Sequence, residues 1–394
     1  MRGAHIALVE TFIISLPRDT PYLGPLGAGE LVNARGYLVR QGNRTIYPTT
    51  DMTVLIKVTT EDGTVGWGET YGIVAPDAVT AIIDDVLGPV IVGRDPRDAT
   101  AINEDLYDLM RVRGASGGFW GDAIAGVDIA LWDLAGKFAG MPVAKLLGGQ
   151  RNQRVSGYIS GLPGKTLDDK VKLACDFAAR GFTSFKYAAA VSFDGIVEEM
   201  RALREALGPN AKLMVDLHWK FDAAEAIQLI DQLAPLNPYF VEAPCAAEDI
   251  EGQARVAAAA RVPIALGEEW HSVHEALPRF ERRAMSIVQP EMGHTGISQF
   301  MQIGRMAHAF HMRVIPHASI GIGIFQAASL HASASLPNVP SHEYQHSVFD
   351  RNLQFVHTTM RCDNGAFTVP DSPGLGIEPS ASLWSYLRKK ADVH

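Results

Sequence analysis

The stretch between Lys212 and Glu269 contains KLMVDLH (212–218), YFVEAP (239–244) and VPIALGEE (262–269). Each is a short apolar run closing on an acidic residue, and Asp216, Glu242 and Glu268 stand 26 residues apart. That interval accommodates one strand, one helix and their two loops, so the stretch reads as repeating β/α units. The texture continues outward through RVSGYIS (154–160) and TSFKYAA (183–189) before it, and MSIVQPE (285–291), RVIPHA (313–318) and HEYQHS (342–347) after it. Eight such runs with helical segments between them predict a TIM-like β/α barrel rather than an open sheet.

The polar ends of these runs, Lys186, Asp216, Glu242, Glu268, Glu291, His317 and Glu343, recur every 23 to 30 residues. They return once per unit to the carboxyl ends of the strands, the face that carries the active site in such barrels. Carboxylates at buried strand ends need a positive partner, because an unpaired charge in a dry site costs several kcal/mol. Asp216, Glu242 and Glu268 are three hard oxygen ligands with no Cys or His among them, a set suited to Mg²⁺ or Mn²⁺ rather than zinc. The bland alternative is three solvated loop carboxylates.

His317 alone reads as an ordinary core histidine. Glu291, ending the strand one unit earlier, can fix its tautomer and stabilise its cation, so the two read as a general-base dyad. His218 follows Asp216 by two residues, and strand alternation points it into the barrel mouth as a candidate acid. Lys186 could pair with a substrate carboxylate or act as a second base, against the alternative of a surface lysine. Tyr187 should point away from that face.

The rest of the chain frames the barrel. TVLIKVTTEDGTVGWGET (53–70) reads as two extended runs around Glu61-Asp62-Gly63, and DAIAGVDIALWDLAGKFAG (122–140) as a helix ending near Gly140. Between Pro21 and Thr50 lies an irregular stretch long enough for a functional flap. Two motif matches fail on context. GASGG (114–118) lacks the strand that a nucleophile elbow requires, and GLPGKT (161–166) has Ile159 where a phosphate loop needs glycine.

Across 394 residues, 35 Lys+Arg oppose 44 Asp+Glu, leaving a charge of −9 and no basic surplus for nucleic acid or an anionic membrane. Three scattered cysteines, an uncleavable amino terminus and no long apolar run fit a cytoplasmic protein without a membrane span.

The segments GVDIALWDLAGKFAGMPVAKLLGG (126–149), VDLH, VEAP, LGEE and PDSPGLGIE (370–378) together resemble the enolase superfamily, specifically its mandelate racemase subgroup, over nearly the whole chain. The resemblance implies an α+β capping domain from residues 1–145, a (β/α)7β barrel from 146–362 and a return to the cap by 363–394. It implies Mg²⁺ on Asp216, Glu242 and Glu268, with a Lys or His base forming an enediolate. It also implies that Glu343 binds the substrate carboxylate or enediolate, that the flap and the Glu69–Gly72 turn close over the substrate, and that the protein is a homo-oligomer.

Departures from the family pattern narrow the reaction. Lys186-Tyr187-Ala188 replaces the common K-x-K, Ala243 follows Glu242 where a second glutamate is common, and Glu291 replaces the usual aspartate of the dyad. Without the second lysine, a racemase working on both faces of the α-carbon is disfavoured. The histidine two positions after the first metal ligand is similar to that of acid-sugar dehydratases such as galactonate dehydratase, where it is the general acid. The expected function is dehydration of an aldonate or aldarate to a 2-keto-3-deoxy acid. The alternatives are a racemase, epimerase or lactone cycloisomerase of the same superfamily, a barrel hydrolase with a His-rich metal set, or a silent sugar-acid binder.

Overall fold

The computed structural model describes residues 4–19, 24–41, 44–192, 194–318 and 321–388. Its amino-terminal part is a four-stranded antiparallel sheet in which Ile6–Leu16 lies between the carboxy-terminal strand Leu387–Arg388 and Asp51–Thr60, followed by Val65–Tyr71. The expected turn joins the last two strands. There Asp62 Oδ1 accepts hydrogen bonds from Thr60 Oγ1 at 2.7 Å and Thr64 N at 3.0 Å.

The helix Gly118–Ala139 packs across this sheet and buries Ile124, Val127, Leu131 and Leu134. It stops at Gly140, whose left-handed φ of +63° caps the last turn before Pro142. Contact between strand and helix is close: a Cβ added at Gly68 would lie 2.0 Å from the carbonyl oxygen of Gly126. Only glycine allows that approach.

The barrel strands are Arg154–Ser160, Ser184–Ala188, Lys212–Asp216, Phe240–Glu242, Ile264–Leu266, Ile287–Val288, Arg313–Val314 and His342–Tyr344. The first seven pair in parallel in sequence order, and the eighth pairs in parallel with the first. At the remaining seam the seventh and eighth units meet through Glu343 N, which donates to Pro316 O at 3.3 Å, rather than through a ladder. Seven helices follow the first seven strands, giving the (β/α)7β architecture. Tyr158, Met214, Phe240, Ala265, Ile287 and Ile315 fill the interior beneath the polar strand ends.

One boundary differs from the sequence expectation. The hairpin Arg361–Asp363 with Ala366–Thr368 pairs antiparallel to the first barrel strand, so a border at 362/363 falls inside it. Only beyond it does the chain return to the cap, where Asp133 Oδ1 accepts the Leu375 N–H at 2.8 Å. The flap contains a small antiparallel pair, Tyr37–Val39 with Ile46–Pro48, and its residues 21–23 and 42–43 lie outside the described residues.

Glu69 is part of a strand rather than of a mobile turn, and it is fully buried. Its carboxylate accepts Ile322 N at 2.6 Å, Ile324 N at 2.9 Å, Phe325 N at 3.2 Å and Thr53 Oγ1 at 2.9 Å. It therefore ties the cap to the start of the helix Ile324–Ser335, where a negative charge suits the helix amino terminus. Glu69→Ala is expected to cost about 3 kcal/mol, since it orphans several buried N–H groups. The check is the shift in a chemical denaturation curve.

Candidate active site

Parallel register places Ala188 opposite Asp216 and Asp216 opposite Glu242, while Ala265 pairs with Glu242 just before Glu268. The three acidic side chains thereby converge, with one oxygen from each within 4.8 Å of the others. Burial, together with the neighbouring Asp216 and Glu242, pushes the Glu268 carboxyl well above its ordinary pKa, against the pull of His317. Its Oε2 is buried with no hydrogen-bond partner. An orphaned acceptor in a cluster of mutually repelling carboxylates is what a divalent cation would satisfy, and the all-oxygen donor set fits a hard ion. Asp216, Glu242 and Glu268 would be its ligands.

Lys186 projects into the barrel above the Tyr158 ring, with Nζ 2.6 and 2.7 Å from the two oxygens of Glu242 and 3.1 Å from Glu343 Oε1. Burial opposes its charge, but Glu242 and Glu343 prevail and hold its pKa well above the ordinary value. Burial would likewise raise Glu343, yet Lys186 and His317 hold that carboxyl at about 2. Lys186→Met leaves two buried carboxylates without their cation and is expected to destabilise the metal-free protein by about 3–5 kcal/mol. Thermal unfolding with and without a divalent cation measures both that loss and the recovery expected when the ion binds.

His317 Nδ1 lies 2.6 Å from Glu291 Oε2, and the same carboxylate accepts Gly293 N at 3.1 Å through Oε1. The longer glutamate thus reaches the imidazole while capping the next helix. The other ring nitrogen, Nε2, faces the cluster at 3.5 Å from Glu268 Oε2 and 3.8 Å from Glu343 Oε2. Burial disfavours the imidazolium, but Glu268, Glu343 and Glu291 together lift its pKa well above the ordinary value.

His218 reaches the cluster by a different route from the one strand alternation suggests. The strand stops at Asp216, and His218 and Trp219 both take left-handed conformations with φ of +51°. Non-glycine residues rarely hold such angles, and strain of this kind concentrates at functional sites. The turn directs His218 Nε2 to 3.1 Å from Asp216 Oδ2 and leaves Nδ1 buried without a partner. Tyr187 points outward, as alternation requires, and its hydroxyl donates to Ile196 O.

Sequence reading missed two neighbours. Gln289 donates through Nε2 to Glu242 Oε2 at 2.8 Å, fixing that carboxylate from the sixth strand. Ser160, at the end of the first strand, supplies a hydroxyl that helps keep Glu343 ionised. Gln289 was detectable, since it precedes Glu291 by two residues at the end of an apolar run.

Comparison with known proteins identifies the family. Residues 44–148 match the mandelate racemase / muconate lactonizing enzyme N-terminal domain, and residues 169–383 match the enolase C-terminal domain-like family. The chain is 33% identical to D-galactarolactone cycloisomerase of Agrobacterium fabrum, covering 82% of this chain and 88% of that protein. It is 35% identical to arabinonate dehydratase of Saccharolobus solfataricus, covering 82% and 87% respectively. A solved structure of an enolase-superfamily member from Agrobacterium tumefaciens superposes with a TM-score of 0.96 at 49% identity, over 98% of this chain and 99% of that one. The chain is therefore an enzyme of the enolase superfamily and belongs to its mandelate racemase subgroup.

Proposed function

We propose that this enzyme is a Mg²⁺-dependent acid-sugar dehydratase that converts an aldonate or aldarate to a 2-keto-3-deoxy acid. The observation that carries this reading is a histidine at each end of the carboxylate row, His317 beside Glu268 and His218 beside Asp216. Elimination of water needs a base for the α-proton and an acid for the β-hydroxyl. Ala188, paired with Asp216, occupies the position of the second lysine in K-x-K, so the lysine base of a two-base racemase is missing there.

In this scheme Glu291 holds the Nδ1–H of His317 and leaves Nε2 to accept the α-proton. Lys186 binds the substrate carboxylate as it becomes an enediolate, and Glu343, ionised beside it, holds that ammonium in place. Held by Asp216, Glu242 and Glu268, Mg²⁺ would supply the positive charge that offsets the second negative charge on that group. His218 donates a proton to the β-hydroxyl, which departs as water, and the resulting enol takes a solvent proton at C3 to become the ketone.

The base must be neutral to act, yet the carboxylates around it favour its cation. Adding Mg²⁺ to metal-free enzyme is therefore expected to lower the His317 pKa, measured by NMR titration of the imidazole. An unchanged titration would place the ion elsewhere.

A lactone cycloisomerase is the second reading, favoured by the likeness to D-galactarolactone cycloisomerase. It would form the same enediolate but break the bond from the β-carbon to the ring oxygen, opening the ring with the leaving group still tethered, rather than expel water. A stereochemically complete panel of aldonates, aldarates and their lactones, assayed with Mg²⁺ for 2-keto acid, separates the two. Turnover of lactones alone, to isomers of the substrate, would overturn the dehydratase reading.

A further inference from the structure

We propose that Asp122, His271 and His294 form a second metal site, for a borderline divalent cation such as Zn²⁺, that clamps the capping domain to the barrel. Asp122 comes from the long capping helix, His271 from the loop after the fifth barrel strand and His294 from the first turn of the helix Met292–Ala309 after the sixth, each histidine three residues beyond an acidic residue of the active site. His271 Nε2 lies 3.2 Å and His294 Nδ1 2.5 Å from the same oxygen, Asp122 Oδ1. One ligand atom from each residue falls within 4.8 Å of the others. Two imidazoles and one carboxylate suit a borderline ion, unlike the all-oxygen cluster in the barrel mouth.

The surroundings are organised as metal sites are. Glu275 Oε2 is 3.4 Å from His271 Nδ1 and accepts the His271 backbone N–H at 2.8 Å, so it orients the ring with Nε2 toward Asp122. A carboxylate behind a ligating histidine is the usual outer-shell arrangement. Tyr71 stacks on His294 with ring centroids 4.0 Å apart and planes 9° from parallel, which fixes the second ring. The capping helix makes room as well: a Cβ at Gly121 would lie 2.4 Å from His271 Cδ2, and one at Gly117 2.5 Å from Glu275 Oε1. The side chains are largely shielded, with Asp122 7%, His271 12% and His294 19% exposed.

The test is titration of metal-free, full-length enzyme with Zn²⁺ under saturating Mg²⁺, reading bound zinc by equilibrium dialysis and its ligands by X-ray absorption. The expected result is one retained equivalent of zinc with imidazole scattering. Affinity should fall more than about 100-fold in His294→Asn and about 10–100-fold in Glu275→Gln, which loses only the outer-shell partner. No retained zinc, zinc with oxygen ligands alone, or equal affinity in wild type and Glu275→Gln would overturn the proposal. His218 and His317 border the active-site cluster, so the assignment requires the retained zinc and its imidazole scattering to survive in His218→Asn. Their loss in that variant would place the ion in the active site and overturn the proposal.

Discussion

His317→Asn is expected to abolish both exchange of the substrate α-proton with solvent and formation of the keto acid. Asparagine preserves polarity and approximate size but cannot accept the proton, and no second lysine stands at Ala188 to replace the lost base. His218→Asn should behave differently. With Glu291, His317 and the carboxylates intact, α-proton exchange persists, while loss of the β-hydroxyl slows by about 10²–10⁴-fold, the usual contribution of a general acid. Deuterium exchange and product formation, measured in parallel on each variant, distinguish the two roles. Exchange that survives in His317→Asn but disappears in Lys186→Ala would reassign the base and restore a two-base mechanism.

The second large effect concerns the carboxylate cluster. Chelation is expected to abolish turnover, and added Mg²⁺ to restore it. Glu242 lies between the other two ligands and also receives Lys186 and Gln289. Glu242→Gln keeps its shape and an acceptor oxygen for those donors but removes the charge, so the fold should survive while metal affinity drops at least about 100-fold. Calorimetric titration of Mg²⁺ into the variant, with circular dichroism as the folding control, measures both. Full activity in chelated wild-type enzyme would contradict the mechanism at its root.

Much of this site was legible because barrel geometry converts spacing into position. The regular intervals between Lys186, Asp216, Glu242, Glu268, Glu291, His317 and Glu343 reflect one β/α unit each, and the structure brings all seven to one face. Spacing carries no information on how a loop turns once its strand ends. His218 arrives through two left-handed residues, not through alternation, and the sequence alone does not specify that bend.

Interactions between distant segments were the least visible. Glu69 reads locally as a residue near a turn, yet its backbone N–H partners lie more than 250 residues away at the start of a barrel helix. The cluster of Asp122, His271 and His294 similarly depends on how the cap docks on the barrel. The hairpin at 361–368 stays with the first barrel strand because its backbone groups pair there, a choice that composition does not reveal.

The most direct test of the central claim is mass spectrometry of the wild-type product formed from acid sugars in ²H₂O with Mg²⁺. Dehydration by His317 and His218 predicts a keto acid one water lighter than its substrate, with a single solvent deuteron at C3. A product with the substrate's own elemental composition, or recovered substrate that has only exchanged its α-proton, would contradict the account.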